Sequence, residues 1–442
     1  MSCHLKYFIF TICLGISSLQ LYGQDAASEL STTPTLQELL DYALVNRITI
    51  RNAYIGEEIG EKEIKSALSG YFPQLMASGA VSHFIQIPTT IIGGNLIEMG
   101  QRNTSNLLAQ ASQAILNPEL MRASRAARLI RERTKQTVED EKINAVVDVS
   151  KAYYDILTTE EQIKIIQENI LRIQQQFTDA NVRYEVGLVD KTDYKRAQIS
   201  LNNAQADLKK THEFRKFKYD FLKQLLALPL SYPMDLSFNK ENLEAQVMLD
   251  TTEVLIEERR IEYRQLQNMK REQELTTQFQ KWQFLPTVSA AASYQLNYFN
   301  TEFNQLYNRA FPASSVGLTF SVPIFQGFRR QHDIRRSQLQ EMQLDWDMVD
   351  LKNRIGAEYS EAITNYRAFM TDWKVSRENV ALSEEVYDII KLQYDEGIKT
   401  YLDLMTSETD LRTSQLNYLN ALYTLLASKI DVERALGNIQ IQ

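Results

Sequence analysis

The chain has 442 residues, 44% of them hydrophobic and 24% charged, with a formal net charge of −8. That acidic balance argues against a nucleic-acid partner, which calls for a basic face. Its two cysteines, Cys3 and Cys13, both stand near the start, so the bulk of the chain has no disulfide framework and packing must hold it together.

Residues 1–23 place Lys6 ahead of the apolar run YFIFTICLGI and leave through LQLYG. A basic end, an apolar core and a small-residue exit read as a secretory signal peptide, cut after Gly23. The run is too short for a membrane-spanning anchor. Ile12 precedes Cys13 where a lipoprotein signal wants a small residue. Lys6 is the one charge in the segment, so the exported chain is more negative still. No later stretch is apolar enough for a transmembrane helix, which leaves a soluble secreted protein or an outer-membrane protein anchored by strands.

Residues 24–35 form an N-terminal tail. TLQELLDYALVNR starts a helix near 36, and its pattern runs into the proline of GYFPQL. There the apolar period changes from helical to alternating. Strands are expected at 74–85 and 106–115. On the second, Leu107, Ala109, Ala111 and Ile115 share a face that Gln113 interrupts. Residues 119–185 contain neither Pro nor Gly, so one helix of roughly 100 Å is expected at about 1.5 Å per residue. Gly187, in YEVGLVDKTDYKRAQ, turns the chain into a return helix over 190–228, and a linker occupies 229–248.

The second half repeats this order. A helix over 249–283 runs into WQFLPTV, followed by strands at 287–298 and 315–324. A long helix over 329–395 leaves PIFQGF. The turn glycine Gly397 stands in YDEGIKTYLDLMTSE, and a return helix over 400–436 precedes the tail 438–442. Laid on the first half, Tyr394 falls on Tyr184, Gly397 on Gly187, Asp403 on Asp193 and Leu411 on Leu201. The chain therefore reads as two repeats, 36–228 and 249–437. On the last helix Leu404, Leu411, Tyr418, Leu425 and Val432 recur at heptad spacing, with Ser407, Ser414, Ala421, Ser428 and Ala435 between them. Large residues at one seam position and small ones at the other let helix axes approach closely. One short helix and one return helix, end to end, match one long helix.

In 288–298, Val288, Ala290, Ala292, Tyr294, Leu296 and Tyr298 share one face. In 315–324, Val316, Leu318, Phe320, Val322 and Ile324 do the same. A tilted membrane strand needs about 9–11 residues, so these are candidate lipid-facing positions. Alternation is more often the mark of a soluble sandwich, but two thin hairpins on a long helical body have no sheet to pack against. Four strands cannot close a barrel, and lipid does not tolerate open edges. Three copies give twelve strands, and the glycine turns then ring the far mouth of a tube. The segments 86–100 and 299–313 are outer loops. Tyr298, Phe299, Phe303, Tyr307 and Phe311 fit an interface belt or lid, and equally a loop packed on itself.

In its two glycine turns, its PIFQGF strand exit and its two-fold repeat, the chain resembles the TolC-type outer-membrane efflux proteins over essentially its whole exported length. The resemblance implies a mostly α fold with a small β part: antiparallel coiled-coil helices forming an α-barrel, and four strands per chain in a trimeric 12-stranded transmembrane β-barrel. It implies a homotrimer in the outer membrane of a Gram-negative cell, in contact with its lipid and extended through the periplasm. It implies a passive export duct that docks with a periplasmic adaptor (membrane fusion) protein and an inner-membrane efflux pump or ABC exporter. Two other readings compete. An exported coiled-coil adaptor or scaffold explains the heptads but not strands of membrane length, and a nutrient porin explains the strands but not the helices.

No enzyme constellation is visible. His83, His212 and His332 are scattered, no HExxH, phosphate-binding loop or GxSxG occurs, and no cofactor or metal is expected. The titratable groups worth weighing sit at the turns. Thr400 and Asp403 are spaced as N-cap and N3, as are Asp190 and Asp193, and capping alone accounts for both pairs. The resemblance adds that this helix start lines the narrowest point of the tunnel. Asp403 matches the family's first acid, Thr406 stands where the best-known members carry a second, and Asp193 is the first-repeat counterpart. A ring of like charges there favours cations. The family's closing bonds map onto Tyr394 and Lys399, with Lys replacing an Arg, and onto Asp179 one residue out of register. Lys lacks the bidentate fork of Arg, which implies looser closure.

Overall fold

The computed structural model describes residues 30–187, 190–236 and 240–441, so the signal segment 1–23 lies outside it. The first repeat contains α1 (Leu36–Asn46), α2 (Ile48–Leu68), β1 (Gln74–His83), a small outer hairpin of β2 (Thr89–Ile92) and β3 (Asn95–Glu98), then β4 (Asn103–Leu116), α3 (Pro118–Glu185) and α4 (Lys191–Leu225). A short α5 (Lys240–Gln246) joins it to α6 (Ile261–Trp282), β5 (Thr287–Asn300), β6 (Ala310–Ser321), α7 (Arg329–Asp395) and α8 (Tyr401–Leu436).

The long helices are the spine. Asn117 caps α3 by accepting from the Glu119 N–H at 2.8 Å, with Pro118 in the first turn, where a missing N–H costs nothing. α2 and α4 lie end to end along α3, and α6 and α8 lie end to end along α7. Near the strands the order across the wall is α2, α3, α6, α7, and near the turns it is α4, α3, α8, α7. The main core lies at mid-height, where Leu39, Ile156, Leu157, Leu222, Leu226, Leu422, Leu425 and Leu426 are fully buried. The large heptad positions of α8, from Leu404 to Val432, are all buried, and the Ser414 hydroxyl meets that of Ser383 on α7 at 2.8 Å.

The sheet has the order β1-β4-β5-β6, antiparallel throughout. Register lays Leu75, Ala111, Ala292 and Val316 in one row, and Ala77, Ala109 and Tyr294 in the next. One face is thus largely apolar, with Ser314 of β6 completing the second row. The other carries Ser78, Gln110, Ser112, Ser293, Gln295, Asn297 and Ser315, and the hydroxyls of Ser293 and Ser315 meet at 2.8 Å. Among the described residues both outer strands keep a free edge, and Val316 is 86% exposed.

Several expected boundaries move. The helix expected from 36 breaks at Arg47, whose guanidinium is drawn to Asp148 at 2.7 Å, and neither Pro nor Gly marks the break. The helix expected from 249 begins only at Ile261. Residues before it lie against α7, where the hydroxyls of Tyr359 and Tyr366 donate to the carbonyls of Glu253 and Val247. The linker 229–248 contains α5. β6 starts at Ala310, because Pro312 stands on an edge strand, where a missing ladder donor is tolerated. It ends at Ser321, ahead of Pro323, so Val322 and Ile324 are not strand positions. Gln113 keeps its place on the apolar face by donating to the Tyr71 carbonyl at 3.2 Å, next to the bulge at Ala114/Leu116.

Candidate functional site at the helical turns

At the α7–α8 turn, Gly397 takes φ +76, its N–H donates to the Tyr394 carbonyl at 3.0 Å, and the Ile398 N–H donates to Gln393 at 2.8 Å. This left-handed cap closes the last turn of α7. Gly187 repeats the conformation at φ +74, with the same bond to Tyr184. Space around either Cα is open, so the backbone angle alone demands glycine. Gly397→Ala is expected to destabilise the protein by about 1 kcal/mol through left-handed strain, read as a lower midpoint in thermal unfolding.

Thr400 and Asp403 form a reciprocal cap. The Asp403 N–H donates to the Thr400 hydroxyl at 3.2 Å, while the Thr400 N–H and hydroxyl donate to the Asp403 carboxylate at 3.0 and 2.8 Å. The Thr400 donors and the nearby Lys399 hold the Asp403 carboxyl below the ordinary carboxylate range. The first turn differs. Asp190 accepts from the Thr192 N–H at 3.0 Å, and two carboxylates cannot cap each other as Thr and Asp do. Thr406 is exposed and donates to the Leu402 carbonyl of its own helix at 2.8 Å.

The remaining residues divide. Tyr394 is buried, with its ring 6.3 Å from that of Tyr401 and the Arg183 guanidinium 5.1 Å from its centroid. Burial pushes its hydroxyl up, and the nearby carboxylates of Asp179 and Asp193 push it further. Lys399 and Asp179 are exposed, and among the described residues no ion pair joins them. The structure therefore brings Asp179 and Asp193 near Tyr394, and Lys399 near Asp403.

Two features here were not read from the sequence. Arg183 stands on the helix before Gly187, and its charge over a tyrosine ring comes only from the fold. The other is a buried polar knot above the turns. Glu408 of α8, 3% exposed, accepts from three residues of α3: Asn169 Nδ2 at 3.0 Å, Arg172 Nε at 3.2 Å and Gln176 Nε2 at 2.8 Å. Burial pushes its carboxyl above the ordinary range despite these donors. The partners lie more than half the chain away in sequence, so only their helical spacing on α3 hinted that they share a face.

The comparisons agree with this architecture. The family model "Outer membrane efflux protein" matches residues 39–226 and 257–438. The chain is 22% identical to outer membrane protein TolC of Escherichia coli (strain K12), over 94% of this chain and 84% of that one. It is 21% identical to outer membrane efflux protein BepC of Brucella suis, over 98% and 92%. Its fold superposes on the outer membrane protein VceC of Vibrio cholerae with a TM-score of 0.73 at 15% identity, covering 91% of this chain and 96% of that one. The Campylobacter jejuni CmeC outer membrane channel gives 0.74 at 16%, covering 91% and 85%. With the family model matching most of the chain, and with a free-edged sheet set on a helical wall, the protein belongs to the outer membrane efflux protein family.

Proposed function

We infer that the chain is one third of a passive outer-membrane export duct, closed only by two further copies of itself. One observation carries this: the wall is open along both flanks, and the flanks match. One flank is β1, α2 and α4, and the other is β6 and α7. Each carries exposed apolar residues. Ile48, Ile55 and Ile59 on α2 fall level with Val349, Met342 and Leu339 on α7, since α2 ends and α7 begins at the same end of the sheet. Near the turns, Ile199 and Phe214 on α4 fall level with Val386 and Val375 on α7.

Three copies bring β1 of one against β6 of the next and make a twelve-stranded barrel, an even number as such barrels require. The apolar face, with Val288, Ala290, Ala292, Tyr294, Leu296, Tyr298, Val316, Leu318 and Phe320, then meets lipid, and the serine-rich face lines the lumen. The helices continue as the periplasmic tunnel and end at the glycine turns. The adaptor or scaffold reading falls away, because the family is that of the outer-membrane channel itself. The efflux-channel relatives support docking at the turns by a periplasmic adaptor and, through it, an inner-membrane pump or exporter.

At the tip, three Asp403 carboxylates form a ring with Thr406 behind it, and Lys399 is free to reach the neighbouring copy's turn beside Tyr394 and Asp179. Asp403→Asn is expected to lower the cation-over-anion permeability of the reconstituted trimer in planar bilayers. Unchanged reversal potentials leave Asp403 only its capping role. The duct itself is tested by heat-sensitive trimer migration together with stepwise conductance. A monomer that fractionates as a soluble protein overturns it.

A further inference from the structure

The polar face of the sheet carries Met76 and Leu108 among its serines and amides, and a pair of aromatic rings at its outer end. By parity and register, Phe299 and Phe311 belong with Gln295, Asn297 and Ser315, whereas Tyr294 and Tyr298 belong to the apolar face. The two phenylalanine rings lie 5.7 Å apart, tilted by 46°, and are 45% and 39% exposed. The Arg309 guanidinium sits 5.1 Å from the Phe311 centroid. β1, β4, β5 and β6 contain no Asp, Glu, Lys or Arg. An aromatic pair with a cation therefore stands at the outer end of a face whose strands are uncharged and rich in hydroxyls and amides. Apolar rings on a wetted face lose the stabilisation that burial gives them, and a flat solute stacked on them restores it.

We propose that Phe299, Phe311 and Arg309 form an aromatic collar inside the outer mouth of the duct, once per copy, that narrows the exit and takes up flat aromatic anions in passing. The collar rests on the duct reading, since it needs the polar face to line a shared lumen. The rings supply stacking surface. The guanidinium pairs with a carboxylate or sulfonate that water alone would otherwise hold. The family channels differ in cargo, and a collar of this chemistry would bias what leaves this one.

The test uses the full-length protein in planar bilayers, with naphthalene-2-sulfonate added on the outer side as probe. Phe299→Ser with Phe311→Ser is expected to raise single-channel conductance about 1.5-fold, by widening a constriction, and to weaken block by the probe roughly tenfold, the worth of an aromatic stack. Phe299→Leu with Phe311→Leu keeps the bulk, so conductance stays near wild type while block weakens. Tyr294→Ser, on the opposite face, changes neither. Conducting trimers in which the serine pair leaves both conductance and block unchanged overturn the collar alone. A wild-type protein that forms no conducting trimer overturns the duct reading and the collar with it, before any variant is compared.

Discussion

Glu408→Ala is expected to destabilise the protein by about 3 kcal/mol, because removing one partner of a buried ion pair strands the other. The figure stands at the low end of the usual range, since the Arg172 side chain keeps 26% of its surface in water. The alanine leaves the Arg172 guanidinium over the Tyr387 ring, 5.8 Å from its centroid, without its paired carboxylate, and removes the acceptor for Asn169 and Gln176. Glu408→Gln keeps the volume and costs less, and its amide can donate to Asn169 Oδ1, which has no partner among the described residues. The two variants also separate in pH dependence. Burial raises the Glu408 carboxyl, so the folded state binds a proton more tightly than the unfolded one. Stability from this group therefore grows as pH falls from neutral through the raised value, and it is lost as pH rises through it. The charged and titratable groups around it include Arg172 on α3, Tyr387 on α7, Arg196 on α4, and Tyr401 and Arg412 on α8, with Arg412 held by Asp207 of α4 at 3.3 Å. Wild-type stability relative to the Gln variant should rise between neutral and mildly acid pH in denaturant unfolding. A flat difference shows that the carboxyl is not perturbed in the folded chain.

That knot also marks where sequence reading stops. What the sequence carried well was local. The glycine turns demand one backbone angle, the Thr400–Asp403 pair has cap spacing, and the α8 heptads have a period that only a close helix partner explains. The alternation in β5 was legible because its residues are apolar on one side and Ser, Gln or Asn on the other. Boundaries governed by long-range contacts were not legible. Arg47, where the helix breaks, pairs with Asp148, 101 residues on, and Pro312 is tolerated because β6 lies at the sheet's edge. The outer aromatics shared one composition and divided between two faces only when the register was known. At the tip, the Tyr394 ring packs against Tyr401 and Arg183 of its own chain and Lys399 lies near Asp403, placements that sequence spacing did not indicate.

The second large effect is expected at the seam. Trp346 is 72% exposed on α7, at heptad-like spacing between Met342 and Val349, with Leu339 one turn before. Among the described residues no element covers this stripe, and in the proposed trimer α2 of a neighbouring copy presents Ile48, Ile55 and Ile59 along it. A tryptophan left in water forgoes the roughly 1.5–3 kcal/mol that burying a large apolar side chain supplies, and closing the trimer recovers that amount three times. Trp346→Glu loses the apolar area and sets a carboxylate in a seam of apolar side chains, at a desolvation cost. The expected result is loss of the heat-sensitive trimer band and of channel steps in bilayers, with far-ultraviolet helicity retained, because the residue makes little contact within its own chain. Trp346→Phe should keep both. A Glu variant that still migrates as a trimer and conducts would place this face of α7 on the outside of the tube, and the neighbour against some other surface.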